Sequence, residues 1–380
     1  VMGTVMLRGY QKGNGNDQKG SREIPESGIA GCLKHFAGYG AVNAGREYND
    51  VEISQRTFRE QYLKPFRMAR HADPAIVMTA FNAVDRRPVS GNKELLEDIL
   101  RKEMGFSGTV ISDWGAVGQL EEQNVVSGQA EAADAAVHAG VDIDMMSPAY
   151  MFHLEELVEE GHVPVSLIDR SAWNVLVMKN RLGLFEDPFA GMEGEEQLSA
   201  EAKKIALALA CESSVLLKNA DLLPLKPEQK VFWAGPYVES TELLSRWAIF
   251  GRHDDVETIS EVLRDRKLPV RFVPGCEILT EEERRLWQAD NCRIQGEEEQ
   301  NREMSGSCGD QYADLEEIGP EDTVVLVLGE HEAQSGEAAS RAFLDLPEGQ
   351  QKFFDAVAER TSHIVAVIMS GRPLDIRKIA

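Results

Sequence analysis

Gly105–Gly115 reads GFSGTVISDWG, and the reading of this stretch decides the fold. Thr109–Ile111 is a short β-branched run between glycines, the pattern of a buried strand. It ends in Ser112-Asp113-Trp114, which sets a carboxylate and an indole at the C-terminal end of that strand. In a barrel of alternating strands and helices, that mouth is where chemistry sits. A carboxylate can act on a C–O bond while an aromatic face stacks on the apolar side of a sugar ring. The same tripeptide also reads as an Asp capping the next loop beside a Trp filling a gap, so the neighbours must decide.

Working upstream, Asn92–Met104 predicts a helix with an Asn cap that stops at Gly105. Before it, Ala75–Phe81 (AIVMTAF) predicts a strand ending at Phe81-Asn82. Ser54 is an expected N-cap for a helix through Phe58, Tyr62 and Phe66, with Pro65 expected to kink it or break its ladder. Ile29–Phe36 (IAGCLKHF) predicts a strand that delivers Lys34 and His35 to its C-terminal end. Gln11–Glu26 reads as a loop, and Val1–Tyr10 as the end of a helix. Downstream come an alanine-rich helix ending near Gly140, a strand over Val141–Met146, and helices over Tyr150–Glu160 and Ser166–Leu182. This alternation argues for parallel βα units. Strands ending at Phe36, Phe81, Ser112 and Met146 make four. A closed eight-stranded barrel needs about twice that number, in roughly 250 residues. The region is therefore either a small open α/β sheet or the second half of a barrel.

Gly183–Leu198 is a linker by composition, rich in Gly, Pro and acids. A helix over Ser199–Glu212 follows, and then VLLKNADLLPL, read as a short strand with a proline stop. A second α/β pattern starts at Val231, with a helix near Thr258–Lys267 and strands at Val270–Val273, Thr323–Leu328 and Ile364–Met369. Glu281–Asp314 reads as a polar, acidic helix and mobile loop. No terminal helix follows the last strand to cover that sheet.

The totals bound the function. A chain of 380 residues suits two or three domains. A formal charge of −24 repels phosphate backbones and anionic membranes, which argues against a nucleic-acid partner and a membrane partner. The apolar runs are strand-sized, too short to span a bilayer. Cys32, Cys211, Cys276, Cys292 and Cys308 are odd in number and lack zinc spacing. Read as reduced thiols they point to a cytoplasmic protein. No secretory signal opens the chain, and one upstream of Val1 would not be visible.

Lys34-His35, Phe81-Asn82 and Asp113-Trp114 each end an apolar strand on the same side of a parallel sheet. Together they offer a cation, a neutral donor, a carboxylate and stacking rings, the mixture a polyhydroxylated ligand requires. Each has a plainer reading: Lys34 pairs with a nearby acid, and His35 is a satisfied core histidine. Glycosidic hydrolysis usually needs a second carboxyl across the cleft. The segment Gly329–Pro347 (GEHEAQSGEAASRAFLDLP) leaves a strand end and offers Glu330, Glu332 and Glu337. Its plainer reading is an exposed acidic loop with Arg341 as a surface partner.

A family resemblance rests on many short motifs in order. They are CLKHFAGYG (Cys32–Gly40), YN-x-V-x-IS-x-RT-x-RE-x-YL (Tyr48–Leu63), VMTAFN (Val77–Asn82) and GFSGTVISDWGAV (Gly105–Val117). RLGLFEDPF (Arg181–Phe189), VLLKN with LLPL, SGEAASR with LDLP, and MSGRPL (Met369–Leu374) continue the series. In these motifs the chain resembles glycoside hydrolase family 3, its bacterial β-glucosidases in particular. The resemblance implies an α/β fold: the second half of a (β/α)8-type barrel, then an incomplete α/β sandwich domain. It places residues 1–184 in the barrel, 185–212 in a linker and helix, and 213–380 in the sandwich.

The resemblance also implies a retaining mechanism. Asp113 matches the nucleophile and Glu337 the acid/base, with Glu330 as fallback. Lys34 and His35 match the pair that binds glycone hydroxyls, Trp114 the stacking residue, and Arg46 and Phe81 further pocket residues. In physical terms Lys34 keeps Asp113 ionised, and Glu337 needs a drier site to hold its proton. The two carboxyls are expected roughly 5–5.5 Å apart with sugar bound. The partner is an oligosaccharide or β-glucoside, and no cofactor or metal is implied.

The chain departs from the family pattern at both ends. The first half of the barrel, with a glycone-gripping aspartate and an arginine, has no counterpart, nor do the far side of the second sheet and the third domain. A half barrel exposes strand edges, which invites aggregation or pairing with another copy as a homo-oligomer, and the chain alone is expected to have little or no turnover. A β-xylosidase is the nearest alternative reading. AGYG after KHF, where N-acetylglucosaminidases of the family carry PGHG, argues against that branch. A non-catalytic sugar-binding protein is the alternative from another class. A phosphate-binding α/β protein lacks support, since no Gly-rich loop follows a strand.

Overall fold

The computed structural model describes residues 1–12, 23–25, 27–189, 199–244, 247–248, 251–253, 256–273, 275–283, 285, 313–337 and 341–380. Cys292, Cys308 and most of the Glu281–Asp314 and Gly183–Leu198 readings lie outside them. The chain forms two compact units, Val1–Leu198 and Ser199–Ala380.

The first unit opens with the helix Met2–Lys12. Its last turn buries Gln11, whose Oε1 accepts from Gly31 N (3.1 Å) and Ala75 N (2.9 Å). The amide thus ties the feet of two strands together. These are β1 (Cys32–Phe36) and β2 (Ile76–Thr79), which pair in parallel, and β2 pairs in parallel with β5 (Thr109–Ile111). Between β1 and β2, Ser54 caps the helix Gln55–Thr57 by accepting from Thr57 N. A wide turn follows, in which Leu63 N donates to Phe58 O at 2.9 Å. Of the two outcomes expected at Pro65, the ladder breaks: Pro65 sits in the first turn of a new helix, Lys64–Ala69, where its missing N–H has no partner to lose.

A two-residue hairpin, β3 (Ala83–Val84) and β4 (Arg87–Pro88), and the helix Glu94–Glu103 separate β2 from β5. Asn92 Oδ1 accepts from Leu95 N at 3.2 Å, and Gly105 ends the helix at φ +71°, a conformation glycine adopts without steric cost.

The expected fourth strand, Val141–Met146, is reduced to one parallel bridge between Ile111 and Ile143. The ladder stops there because a side chain takes part of it: Asp142 Oδ2 accepts from Val110 N at 2.8 Å. Helices Gln129–Ala139, Ala149–Glu159 and Val165–Arg181 complete the unit. Phe36, Phe58, Leu63, Leu96, Val110, Leu120 and Ala136 lie in one continuous core.

The second unit is a four-stranded parallel sheet in the order β7-β6-β8-β9. These strands are β6 (Val231–Ala234), β7 (Val270–Phe272), β8 (Thr323–Gly329) and β9 (Ile364–Met369). Every residue of β8 is buried, whereas β9 is partly open. Thr258 caps the helix Ile259–Asp265 in a complete capping box with Glu261. A helix that the sequence reading does not mark, Glu348–Ala358, links β8 to β9 and buries Phe353 and Val357. The strand expected in VLLKNADLLPL is absent. Val215, Leu216 and Leu217 are 66–76 % exposed and pair with no strand among the described residues, so there is no ladder to hold them extended.

Candidate active site

Asp113 leaves β5 with 7 % of its surface exposed. Its two oxygens have different surroundings. Oδ1 accepts from the Trp114 amide at 2.7 Å. Oδ2 is buried without a well-formed hydrogen bond and lies 3.3 Å from His35 Nε2. The backbone around it is fixed: Ser112 N donates to Ile143 O, and Ser112 Oγ accepts from Met145 N at 2.8 Å. The carboxylate is therefore held at the strand mouth by groups behind it.

β1 brings His35 to the same mouth. Its ring lies 5.1 Å from Tyr39, which continues to Tyr48 (6.4 Å) and Phe81 (4.8 Å, edge-on). Phe81 and His35 therefore belong to one aromatic run, although they leave different strands. Tyr39 and Tyr48 are members that the sequence reading passes over, since one aromatic in a loop gives no sign of its neighbours. Tyr39 Oη donates to Glu47 Oε1 at 2.5 Å.

Lys34 is exposed on β1. Burial acts most strongly on the neighbouring Cys32 thiol, raising it, while the charge of Lys34 pulls it down and that of Asp113 pushes it up. Cys32 counts as exposed by surface area, yet its sulfur is crowded, and burial, the largest influence, pushes the thiol up to about 11. Trp114 is 62 % exposed beside the carboxylate. Arg46 is exposed on the loop after β1 and makes no side-chain ion pair among the described residues, so the structure does not join it to the group. Asn82, read above as a neutral donor at the mouth, is fully buried. Its Nδ2 donates to Ala37 O (3.3 Å) and Ala83 O (3.2 Å). Its donors are spent on the turn after β1, and its Oδ1 is buried without a hydrogen-bond partner.

Behind the mouth lies a polar cluster that the sequence alone does not reveal. The Asp142 side chain is wholly buried and takes Arg101 Nη2 at 2.7 Å, Val110 N at 2.8 Å and Asn174 Nδ2 at 3.0 Å. Burial raises its carboxyl above the usual value of 3.8, against the pull of Arg101, Val110 and Asn174. The only sequence sign is an acid inside the apolar run VDIDMM.

In the second unit the residues after β8 separate two candidates. Glu330 is buried, with side-chain oxygens on Arg341 Nη1, Arg372 Nε (3.4 Å) and Ser370 Oγ (2.7 Å). All its acceptor capacity is turned inward. Glu337 lies half-buried beyond Gly336, seven residues further along this segment. No group of three or more His, Cys, Asp or Glu able to hold a metal occurs among the described residues. No helix among them is long and apolar enough to cross a membrane.

Parallel α/β units with an acid and aromatic rings at a strand mouth define a class of ligand-handling α/β protein, and the family follows from comparison. Residues 1–178 match the glycosyl hydrolase family 3 N-terminal domain, and residues 214–380 match its C-terminal domain. The chain belongs to glycosyl hydrolase family 3. It is 29 % identical to a periplasmic β-glucosidase of Salmonella typhimurium over all of this chain and 49 % of the relative. It is 28 % identical to a β-xylosidase of Formosa agariphila over all of this chain and 51 % of that protein. The solved β-glucosidase of Listeria innocua in complex with isofagomine is similar at TM-score 0.82 and 34 % identity, covering 99 % of this chain and 49 % of that one. The same enzyme has also been solved with glucose, at 36 % identity. The chain spans about half the length of the curated relatives it matches.

Proposed function

We propose that this chain carries the two catalytic carboxyls of a retaining, exo-acting β-glucosidase, which removes terminal β-linked glucose from oligosaccharides or glucosides. The observation that carries the reading is Asp113: a nearly buried carboxylate at a strand mouth, with Oδ2 3.3 Å from His35 and outside any well-formed hydrogen bond. An oxygen so placed is oriented yet available to attack. In the first step it bonds to the anomeric carbon, the glycosidic C–O bond breaks, and Glu337 gives its proton to the departing oxygen. In the second step Glu337, now a carboxylate, takes a proton from water. That water attacks the anomeric carbon and releases Asp113.

Lys34 and His35 hold glycone hydroxyls, Trp114 stacks on the sugar and Phe81 lines the approach; Arg46, which stands apart from this group in the structure, keeps a pocket role on the family resemblance alone. Glu330 is set aside as acid/base because its oxygens are occupied. The domain assignment follows the same reading, with residues 1–184 as barrel, 185–212 as linker and helix, and 213–380 as sandwich.

The curated β-xylosidase aligned over the whole chain favours β-xylosidase as a second reading. For the compartment, the odd cysteine count supports the cytoplasm, while the Salmonella relative is named periplasmic. The test is turnover of aryl β-glucosides by the protein carrying this chain. Asp113→Asn is expected to remove it by several orders of magnitude. Unchanged turnover in that variant would overturn the reading.

A further inference from the structure

Glu337 follows Glu330 by seven residues along the described stretch 330–337 and precedes Arg341 by four in sequence, and buried charge joins Glu330 to Arg341. The Glu330 carboxylate is fully buried, and Arg341 binds it through Nη1. Arg341 Nη2 also donates to Asp345 O at 3.0 Å. From the turn after β9, Ser370 Oγ lies 2.7 Å from Glu330 Oε2 and Arg372 Nε 3.4 Å from it. Arg372 Nη2 reaches on to Gln334 O, midway along that stretch. The same turn runs close beside Ser335. A Cβ added to Gly371 would stand 2.2 Å from Ser335 Oγ, two residues before Glu337. Glu330 itself is locked into the sheet end, since its N–H donates to Met369 O at 3.0 Å.

A buried charged cluster costs desolvation and is weak evidence for stability alone. Here every partner bears on one stretch of chain. We infer that Glu330, with Arg341, Arg372 and Ser370, is a positioning device that sets the approach of Glu337 to the leaving-group oxygen. It acts through Glu337 and does not touch substrate. The inference rests on the proposed role of Glu337, and its test separates the two.

The experiment compares a phenyl β-glucoside, whose leaving group needs a proton, with a dinitrophenyl β-glucoside, whose leaving group does not. It uses the protein carrying this chain. Glu337→Gln calibrates it: kcat/KM is expected to fall about a hundredfold or more on the phenyl substrate and far less on the other. Glu330→Gln is expected to give the same split in weaker form, about tenfold or more on the phenyl substrate. Gly371→Ala keeps every charge and crowds Ser335, so it is expected to reproduce the split even where Glu330→Gln fails to fold. Equal losses on both substrates in Glu330→Gln and Gly371→Ala, with the split kept in Glu337→Gln, would overturn the positioning role. Absence of the split in Glu337→Gln itself would overturn the acid/base reading instead.

Discussion

Asp113 and Asp142 are both buried acids against β5, the first at its C-terminal mouth and the second behind it, and their oxygens are used differently. Asp142 spends its oxygens on Arg101, Val110 N and Asn174, so it is structural. Asp142→Ala takes the carboxylate from Val110 N, Asn174 and Arg101, which keeps Gly108 O (3.1 Å) and Glu97 (3.9 Å), and is expected to cost roughly 1–3 kcal/mol for each buried donor left alone, read as a lower urea midpoint. Asp113→Asn, expected to remove turnover under the proposed function, is expected to leave that midpoint little changed. Cys32 reports on the same mouth. Its thiol is raised from 9.0 to about 11, so the folded state holds the proton more tightly than the unfolded chain. This contribution to stability is complete below the unfolded value of 9.0 and is lost as pH rises to about 11. Alkylation of Cys32, followed by peptide mass spectrometry, is expected to be slow at pH 8 and to accelerate towards pH 11. Fast labelling at pH 8 would contradict the crowding around the sulfur.

At this scale the sequence was informative where an apolar run stops at a polar pair, as at Lys34-His35 and Asp113-Trp114. It was silent on direction. Nothing in the order of residues tells that Asn82 and Glu330 turn inward to bind backbone and arginine, while Asp113 keeps an oxygen available.

Elements were legible when local pattern and tertiary need agreed. β8, a continuous TVVLVL run, and the capped helix Ile259–Asp265 are such cases. Thr258→Ala removes the acceptor for Glu261 N and is expected to cost about 1 kcal/mol, measured by denaturant unfolding. The helix Glu348–Ala358 was not legible because its key buried residue is polar. Gln350 is fully buried. It accepts from Gly329 N (2.8 Å) and donates to Gly329 O (2.8 Å) and Ile278 O (2.9 Å), so it holds the end of β8 from which Glu330 departs. Gln350→Ala is expected to cost roughly 1–3 kcal/mol for each backbone group left alone, again read from the urea midpoint. The strand expected at Val215–Leu217 failed for the converse reason. Its composition suits a strand, but a strand needs a neighbour, and composition says nothing of neighbours.

At the scale of the molecule, the charge of −24 and the two parallel sheets describe many proteins, and fold alone does not assign an activity. The chain belongs to glycosyl hydrolase family 3, and the named relatives include both β-glucosidases and β-xylosidases. A panel of aryl glycosides on the protein carrying this chain is expected to favour the glucoside over the xyloside by about tenfold or more in kcat/KM, the scale at which a pocket reads one small substituent. The reverse order would favour the xylosidase reading. The central claim, a covalent glycosyl-enzyme on Asp113, is tested most directly by trapping that intermediate with a deoxyfluoroglucoside bearing a good leaving group and sequencing the labelled peptide by mass spectrometry. The account predicts one added sugar on the peptide that spans Gly105–Gly115, located on Asp113 and absent from Asp113→Asn. A label on any other residue, or turnover of the reagent with no label at all, would contradict it.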